Sequence, residues 1–368
     1  MKVLVLGGYG NFGARIARAL CNTSGLELLV GGRDAHRVAQ FSATVDAKPV
    51  LVDATDTGLA QQLRTLGVGI VIHTAGPFQG QNYHVAAACA ATGAHYIDLA
   101  DGRRFVCDFP EQMQTVFAQA GVVGICGAST LPALSSAVID HLLPRFDRLD
   151  AIDICIAPAQ RAPRGVATLA GVLSYCGRPV HVWRGGRWAS ETGWANPQPV
   201  AFARMPERLA ALCDVPDLEL LPARYTGVSD VVFRAALELR STQHAFALLA
   251  WATARGWLRQ PQKLAPLLHR AAGVLDGFGS ELGGMVVRLR GSGAQQLRTL
   301  AWHITAGNNH GPEIPCMAAV LLARKLVCGD GPPPGAYACM GLLALDEFNA
   351  EFARWGMVCD VVDESAAP

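Results

Sequence analysis

Residues 1–20 read MKVLVLGGYGNFGARIARAL, and this stretch decides the fold. Residues 3–6 form a short apolar run rich in β-branched side chains and bounded by glycine, the pattern of a strand buried on both faces. From Phe12 onward Phe12, Ile16, Ala17 and Leu20 recur at helical spacing, with Arg15 and Arg18 on the other face. Between strand and helix, Gly8, Gly10 and Gly13 spell G-x-G-x-x-G. At such a junction the first glycine permits a tight turn and the second lets a pyrophosphate approach the backbone. The third lets the helix pack close to the strand. The free N–H groups and positive dipole end of a helix starting near Asn11 then face the phosphates. A glycine-rich turn without ligand is the alternative; the strand before and the helix after favour a dinucleotide.

The second apolar run, 26–30, ends in Gly31-Gly32-Arg33-Asp34. A site for NAD usually offers an acid at this strand end for the ribose 2′-hydroxyl, whereas arginine suits a 2′-phosphate. Two glycines leave space here, and Arg33, with Arg37 one turn on, supplies paired N–H donors. Asp34 reads as the N-cap of a helix over 35–41. The expected cofactor is therefore NADP(H) rather than NAD(H), with a solvated Arg33 as the alternative.

Composition bounds the rest. A chain of 368 residues, 51% hydrophobic and 17% charged, is long enough for two domains with large cores. A net charge of +1 without a lysine or arginine block gives no nucleic-acid footprint. Apolar stretches such as 245–254 and 317–323 are far shorter than a membrane span. The chain enters its first strand with no basic leader, so no signal peptide is expected. Eleven cysteines without a C-x-x-C pair point to free thiols in a reducing cytoplasm, and to neither disulfides nor a metal site.

Strand and helix then alternate in the rhythm of a parallel sheet. Strands are expected over 49–52, 69–73, 95–98 and 122–126, and helices over 57–66, 83–92, 110–119 and 134–143. With crossovers of one hand this makes a doubly wound α/β sheet of the Rossmann type. After Asp147 the pattern becomes α+β. A strand over 150–156, a helix over 165–176 and a hairpin turning at Arg184-Gly185-Gly186-Arg187 come first. Helices over 242–257 and 263–275 follow, then a second hairpin, 284–290 with 297–305, across Gly291-Ser292-Gly293. The helix over 314–326, with Pro315 in its first turn and Gly329 past its end, reads as a return to the first domain. Gly329–Gly335 reads as turn, and the residues after Asp360 as a polar tail. The expected organisation is a dinucleotide domain over 1–147, an inserted α+β domain over 148–308 for substrate or dimerisation, and C-terminal helices over 309–368.

Ligands of open α/β sheets bind at the C-terminal strand ends. Asp53 follows the third strand and suits either the adenine amino group or a helix cap. Gly76 and Pro77 bend the chain after the fourth strand, where Thr74 and Ala75 are small enough for a nicotinamide ribose to lie against the backbone; a plain turn is the alternative. Asp98 and Asp101 end the fifth strand, suited to taking a proton or binding an amine, or to capping a helix over 103–106. Gly127-Ala128-Ser129-Thr130 opens another loop-to-helix junction whose donors suit a carboxylate or carbonyl oxygen. Ser135 and Ser136 read as helix-start residues, since neither sits in a G-x-S-x-G elbow.

The segments GGYGNFGARIARAL (7–20), GGRD (31–34), HTAGPF (73–78), HYIDLAD (95–101), GASTLPALSS (127–136) and GPEIPCMAAVLLARKL (311–326) resemble the saccharopine dehydrogenase-like oxidoreductases. The resemblance is strongest over 1–145 and 300–345. It implies an NADP-binding Rossmann domain and an inserted α+β domain that covers the active site and often dimerises. It also implies that Gly8, Tyr9, Gly10, Asn11, Phe12 and Gly13 hold the pyrophosphate and Arg33 the 2′-phosphate, with Thr74, Ala75, Gly76, Pro77 and Phe78 along the nicotinamide side. The family spans enzymes that reduce imines to join amino acids and relatives that reduce enoyl groups in lipids.

The middle domain departs from the amino-acid-joining members. Trp183, Trp188 and Trp194 cluster within it, and Trp251 and Trp257 lie on an expected helix; they suit a bulky apolar pocket or ordinary packing. Arg161 and Arg164 precede a helix and suit a bidentate clamp on a substrate carboxylate, or plain solvation. His310, at a junction between domains, is the first candidate acid, followed by Asp101; His303, inside a strand, is weaker. These residues point to an NAD(P)H-dependent oxidoreductase acting on a C=N or C–N bond of an amino-acid-like small molecule. A carbonyl or enoyl reductase for an apolar acyl group and a non-catalytic NADP sensor are the alternatives. Short-chain dehydrogenase chemistry is excluded, because none of the tyrosines has lysine four residues on.

Overall fold

The computed structural model describes residues 1–294 and 296–365. The chain divides into two compact units, Met1–Leu134 with Glu313–Leu343, and Ser135–Pro312 with the segment from Ala344. In chain order the first unit supplies β1 (Lys2–Leu6), α1 (Asn11–Leu20), β2 (Glu27–Gly32), α2 (Ala35–Ser42), β3 (Lys48–Leu51) and α3 (Leu59–Leu66). It continues with β4 (Ile70–His73), α4 (His84–Ala90), β5 (His95–Asp98), α5 (Arg103–Cys107), α6 (Phe109–Ala120) and β6 (Val123–Cys126). The second unit holds α7 (Ser135–Leu142), β7 (Arg148–Ala157), α8 (Val166–Ser174), β8 (Pro179–Arg184), β9 (Arg187–Thr192), β10 (Gln198–Val200) and β11 (Arg208–Leu212). Then come α9 (Asp217–Arg224), β12 (Asp230–Ala236), α10 (Arg240–Ala254), α11 (Ala265–Leu275), β13 (Gly283–Gly293) and β14 (Gln296–Ala306). The chain returns to the first unit for α12 (Ile314–Val327) and β15 (Gly335–Ala338), and ends in the second with α13 (Leu345–Arg354) and β16 (Val358–Asp363).

The first unit is a doubly wound α/β sheet of seven parallel strands in the order β15-β6-β5-β4-β1-β2-β3. Val3, Leu4 and Val5 are fully buried, as a strand covered on both faces requires. β1 lies between β2 and β4, so the strand order reverses beside it and opens the crevice where such sheets take ligands. α1 buries Ala14, Ile16, Ala17 and Leu20, which sets its direction against the sheet. α12 packs against it: Arg324 donates to the Ala19 carbonyl at 2.9 Å, and Arg15 pairs with Glu313 at 2.8 Å.

The second unit is a mixed sheet, β10-β11-β12-β7-β13-β14-β16, with the β8–β9 hairpin attached to β12. β12 runs parallel to β7, and the other pairings are antiparallel. This is the α+β pattern expected from the sequence. The first hairpin turns at Gly185 and Gly186, both at positive φ (55° and 70°), as expected.

Two sequence expectations need correction, and several elements had no counterpart among them. The second hairpin does not turn at Gly291-Ser292-Gly293: these residues pair with Arg298, Leu297 and Gln296, and Ala294 at φ 50° enters the turn. The glycines serve the neighbouring strand instead. A Cβ on Gly291 lies 2.0 Å from the Arg148 carbonyl oxygen, where the register with β7 shifts. The Gly329–Gly335 turn delivers β15 to the edge of the parallel sheet beside β6. The polar tail after Asp360 starts late, because β16 runs to Asp363 and pairs with β14, which draws the chain from Ala344 into the second unit rather than the first. Finally, β10, β11, α9 and β12 had no expected counterpart; α9 carries an internal Pro222, which hides its helical signal. Among the described residues no helix is long and apolar enough to cross a membrane.

Candidate functional site

The turn after β1 is built on glycine at three distances. Gly7, outside the motif, adopts φ +83° and makes the tight turn that the sequence assigned to Gly8. Its N–H and that of Gly8 both donate to the Gly31 carbonyl, at 2.9 and 3.1 Å, clamping the turn onto β2. Gly8 is buried instead: a Cβ there lies 2.8 Å from the Val5 oxygen and 3.0 Å from Val30 Cγ1. Gly13 packs helix on strand as expected, since its Cβ lies only 2.3 Å from the Gly7 oxygen and 2.7 Å from Thr74 Oγ1. Gly10 differs from these. It is exposed, and a Cβ meets only the Gly7 oxygen, at 3.0 Å. It caps α1 without any side chain, so the positive helix end has no built-in anion. Asn11 and Phe12 follow, half-buried, in the first turn.

The end of β2 is arranged differently from the expectation of open space. A Cβ on Gly31 lies 2.7 Å from Val52 Cγ1, and one on Gly32 lies 2.2 Å from Tyr9 Cε1. The Tyr9 ring thus occupies the room over Gly32, and the Arg37 guanidinium stacks 4.6 Å above that ring. Arg33 stays exposed, and its charge helps hold the Asp53 carboxyl below the usual range, after the stronger effect of the Thr55 donors. Asp53 closes its own turn: Oδ1 accepts from the Thr55 N–H and hydroxyl, each at 2.9 Å. α3 starts later, after Gly58, so Asp53 is not its cap. Asp34 does cap α2, accepting from the Arg37 N–H at 3.0 Å.

At the end of β4 the Thr74 hydroxyl reaches the Leu6 and Gly7 carbonyls at 2.9 and 3.2 Å, tying this loop to the glycine turn. Ala75, Gly76 and Pro77 continue along the rim, where Gln81 Nε2 donates to the Ala75 and Pro77 carbonyls at 3.0 and 2.7 Å. Phe78 does not line this rim. It is buried, with its ring 5.1 Å from His73 and 5.4 Å from Phe105, because the bend turns it into the core.

Beneath the rim lies a polar cluster the sequence reading passed over. His73, buried at the last position of β4, has Nδ1 3.3 Å from the Tyr96 hydroxyl, and burial holds its pKa down at about 4. Asp98 is fully buried; its Oδ1 accepts from the Ala100 and Gly127 N–H groups at 2.9 and 2.8 Å, while desolvation raises its pKa. Neither Asp98 nor Asp101 caps α5, which starts after Gly102 without a side-chain cap. Asp98 instead fixes the β5 and β6 loops to each other. Asp101 stands at the surface, accepting from Gln79 Nε2 at 3.1 Å. His73 and Tyr96 read as ordinary strand residues, so of this cluster only the Asp98 acid was visible in the sequence.

The remaining candidates belong to the second unit. His310 is half-buried; Nδ1 donates to the Trp355 carbonyl at 3.0 Å, which leaves Nε2 as the free ring nitrogen of the neutral form. His303 is buried, with Nδ1 accepting from the Ala203 N–H at 3.3 Å. Arg161 and Arg164 form no open clamp. Arg161 Nε donates to the Asp276 carbonyl at 3.1 Å, and Arg164 pairs with the Asp276 carboxylate and the Gln160 carbonyl. Arg164 thus holds the segment before α8 in place, while Arg161 is exposed and engaged through Nε alone. The tryptophans do not share a pocket either. Trp183 stacks edge-on with Trp188 at 5.0 Å, buried Trp194 packs on Phe246 at 4.7 Å, and Trp251 meets Trp257 at 4.9 Å.

The glycine turn, the uncapped α1 and the reversal of strand order at β1 are the architecture of a dinucleotide site, and comparison with known proteins agrees. Residues 3–125 match the model of the saccharopine dehydrogenase NADP binding domain. No curated protein matches the chain by sequence. Among solved structures, saccharopine dehydrogenase (L-Glu forming) from Saccharomyces cerevisiae is similar over 98% of this chain and 99% of its own, at 11% identity and a TM-score of 0.70. The homospermidine synthase of Legionella pneumophila, solved in complex with NAD, is similar over 98% of this chain and 91% of its own, at 8% identity and a TM-score of 0.65. Residues 3–125 thus carry a domain of the saccharopine dehydrogenase NADP-binding type, and the chain as a whole shares the fold of the yeast saccharopine dehydrogenase structure.

Proposed function

We propose that this protein is an NADP(H)-dependent oxidoreductase that makes or breaks a C–N bond through an imine, on an amino-acid-like substrate. The observation that carries the cofactor half is the exposed Gly10 at the uncapped N-terminus of α1, beside a β2 end that carries Arg33 and no acid suited to a ribose hydroxyl. The substrate half follows the resemblance to enzymes that join amino acids.

In this reading Gly8, Tyr9, Gly10, Asn11, Phe12 and Gly13 shape the pyrophosphate cradle, Arg33 holds the 2′-phosphate, and Asp53 faces the adenine with the oxygen that Thr55 leaves free. Thr74, Ala75, Gly76 and Pro77 border the nicotinamide side through their backbone. When bound, the cofactor supplies or accepts the hydride. The chain itself must orient the substrate, exclude water and move one proton. Asp101 suits that task as an exposed carboxyl at the end of the β5 loop, held by Gln79 of the β4 loop. His310 Nε2 is the second candidate, with the Trp355 carbonyl fixing its tautomer. Arg164 is left out of the site, being paired with the Asp276 carboxylate and the Gln160 carbonyl, whereas Arg161, exposed and tied to the Asp276 carbonyl through Nε alone, stays a candidate for a substrate carboxylate. The homodimer implied by the resemblance stays part of the proposal.

The test is a fluorescence titration with NADPH and NADH on the protein and on Arg33→Ala. Loss of charge-assisted bonds to the 2′-phosphate, worth about 1.5–3 kcal/mol, lowers NADPH affinity roughly 10- to 100-fold and leaves NADH affinity unchanged. NADH binding tighter than NADPH, indifferent to the substitution, overturns the cofactor assignment. NADPH binding without its oxidation in the presence of any paired oxo acid and amino acid overturns the reaction.

A further inference from the structure

The segment of the second unit from α10 to the turn after α11 carries a surface that the proposed chemistry leaves unused. Helices packed on a domain normally turn polar residues outward. α11 does the opposite: Leu267, Ala271 and Val274 recur along its exposed side and Phe278 continues the line, while Leu268 and Leu275 of the other side are half-buried where the helix packs on α8. Val274 and Phe278 are each 77% exposed. On α10 Leu248 and Trp251 are exposed at one-turn spacing, and the 72%-exposed Trp257 leans on Trp251. Six of the fifteen large apolar side chains exposed among the described residues therefore fall between Leu248 and Phe278. Single exposed apolar side chains are ordinary, whereas rows of them along two helices and a contacting pair of exposed tryptophans call for something apolar to meet.

The charge pattern says what that is. Residues 240–275 contain Arg240, Arg255, Arg259, Lys263 and Arg270 and no aspartate or glutamate, in a chain whose net charge is only +1. All five are exposed. Arg240 lies 3.9 Å from Glu207, and among the described residues the other four have no ion-pair partner. Arg255 stacks its guanidinium 4.9 Å over Trp251. The next acid along the chain, Asp276, is taken by Arg164. A second copy of this chain fits poorly, since a two-fold interface sets the same patch against itself and brings the basic groups together. An anionic bilayer fits both features. Tryptophan, phenylalanine and leucine enter the boundary between headgroups and acyl chains, and arginine and lysine meet the phosphates above it.

We propose that the exposed apolar side chains of α10, α11 and Phe278, with the arginines and lysine that accompany them, dock this protein peripherally on an anionic phospholipid surface. The inference is independent of the cofactor and reaction assigned above.

The test is flotation of the full chain with vesicles of phosphatidylcholine alone and of equal parts phosphatidylcholine and phosphatidylserine, with light scattering of the free protein alongside. The protein should float with the phosphatidylserine vesicles, stay behind with phosphatidylcholine alone, and release as salt is raised. Trp257→Ser combined with Phe278→Ser should weaken the partition at least about tenfold. Arg259→Gln and Lys263→Gln should each weaken it about fivefold. An unchanged melting temperature shows that the variants are folded; these positions are exposed, so packing is spared. No phosphatidylserine-dependent flotation, or flotation that neither set of variants reduces, overturns the proposal. So does a dimer that dissociates in the Trp257→Ser, Phe278→Ser variant, which assigns the face to a second copy.

Discussion

Asp217 offers a sharp test of how burial governs this protein. It opens α9 with 0% of its surface exposed, and removing its carboxylate from water raises the pKa from 3.8 to about 7, with the Ser135 hydroxyl the group that partly offsets this. An acid whose folded pKa is raised binds protons more tightly when folded, so stability is greatest at low pH. It is lost as pH climbs through the unfolded value and levels off above the folded one. Between 3.8 and about 7, at roughly 1.36 kcal/mol per pH unit, the loss amounts to about 4 kcal/mol. Asp217→Asn removes the titration and introduces an amide whose unmade hydrogen bonds cost about 1–3 kcal/mol. The variant should therefore be less stable than the parent near pH 4 and more stable, by about 1–3 kcal/mol, at pH 8. All seven tryptophans lie in the second unit, so tryptophan fluorescence during urea unfolding follows this unit alone. A loss of stability in Asp217→Asn equal at both pH values would refute the reasoning and show that the carboxylate is held as an anion.

Three further outcomes follow from the same geometry. Gly13→Ala sets a methyl 2.3 Å from the Gly7 oxygen and should abolish nucleotide binding in a fluorescence titration, while far-ultraviolet circular dichroism stays that of the folded chain. Gly291→Ala sets one 2.0 Å from the Arg148 oxygen and should destabilise the second unit by about 2 kcal/mol or more in urea, leaving nucleotide affinity intact. His73, held near 4 by burial, should stay neutral, so its imidazole NMR signals should not move between pH 8 and pH 5.5.

Much of the parallel sheet was legible because its signals are local. A β-branched run at 3–6, glycines between it and a helical repeat, and Asp34 before 35–41 each act within a few residues, and β1, α1 and α2 lie where those signals put them. The mixed sheet was harder. β12 is buried between β7 and β11, and β16 becomes a strand by pairing with β14, whose partner positions lie some sixty residues upstream. Nothing within β16 alone distinguishes it from a polar tail.

The candidate site divides along the same line. By itself the sequence determined that a glycine turn joins the first strand to a helix and that the second strand ends without an acid, since both depend on backbone freedom and residue type. Only the tertiary structure decided that Gly7 makes the turn while Gly8 serves close packing, that Tyr9 fills the room over Gly32, and that Phe78 faces the core. It also decided that Arg161 and Arg164 are engaged by Asp276, a residue more than a hundred positions away. A residue type states which partners a side chain can take; which partner it has depends on what the fold brings within a few ångströms, and that is set by packing across distant segments.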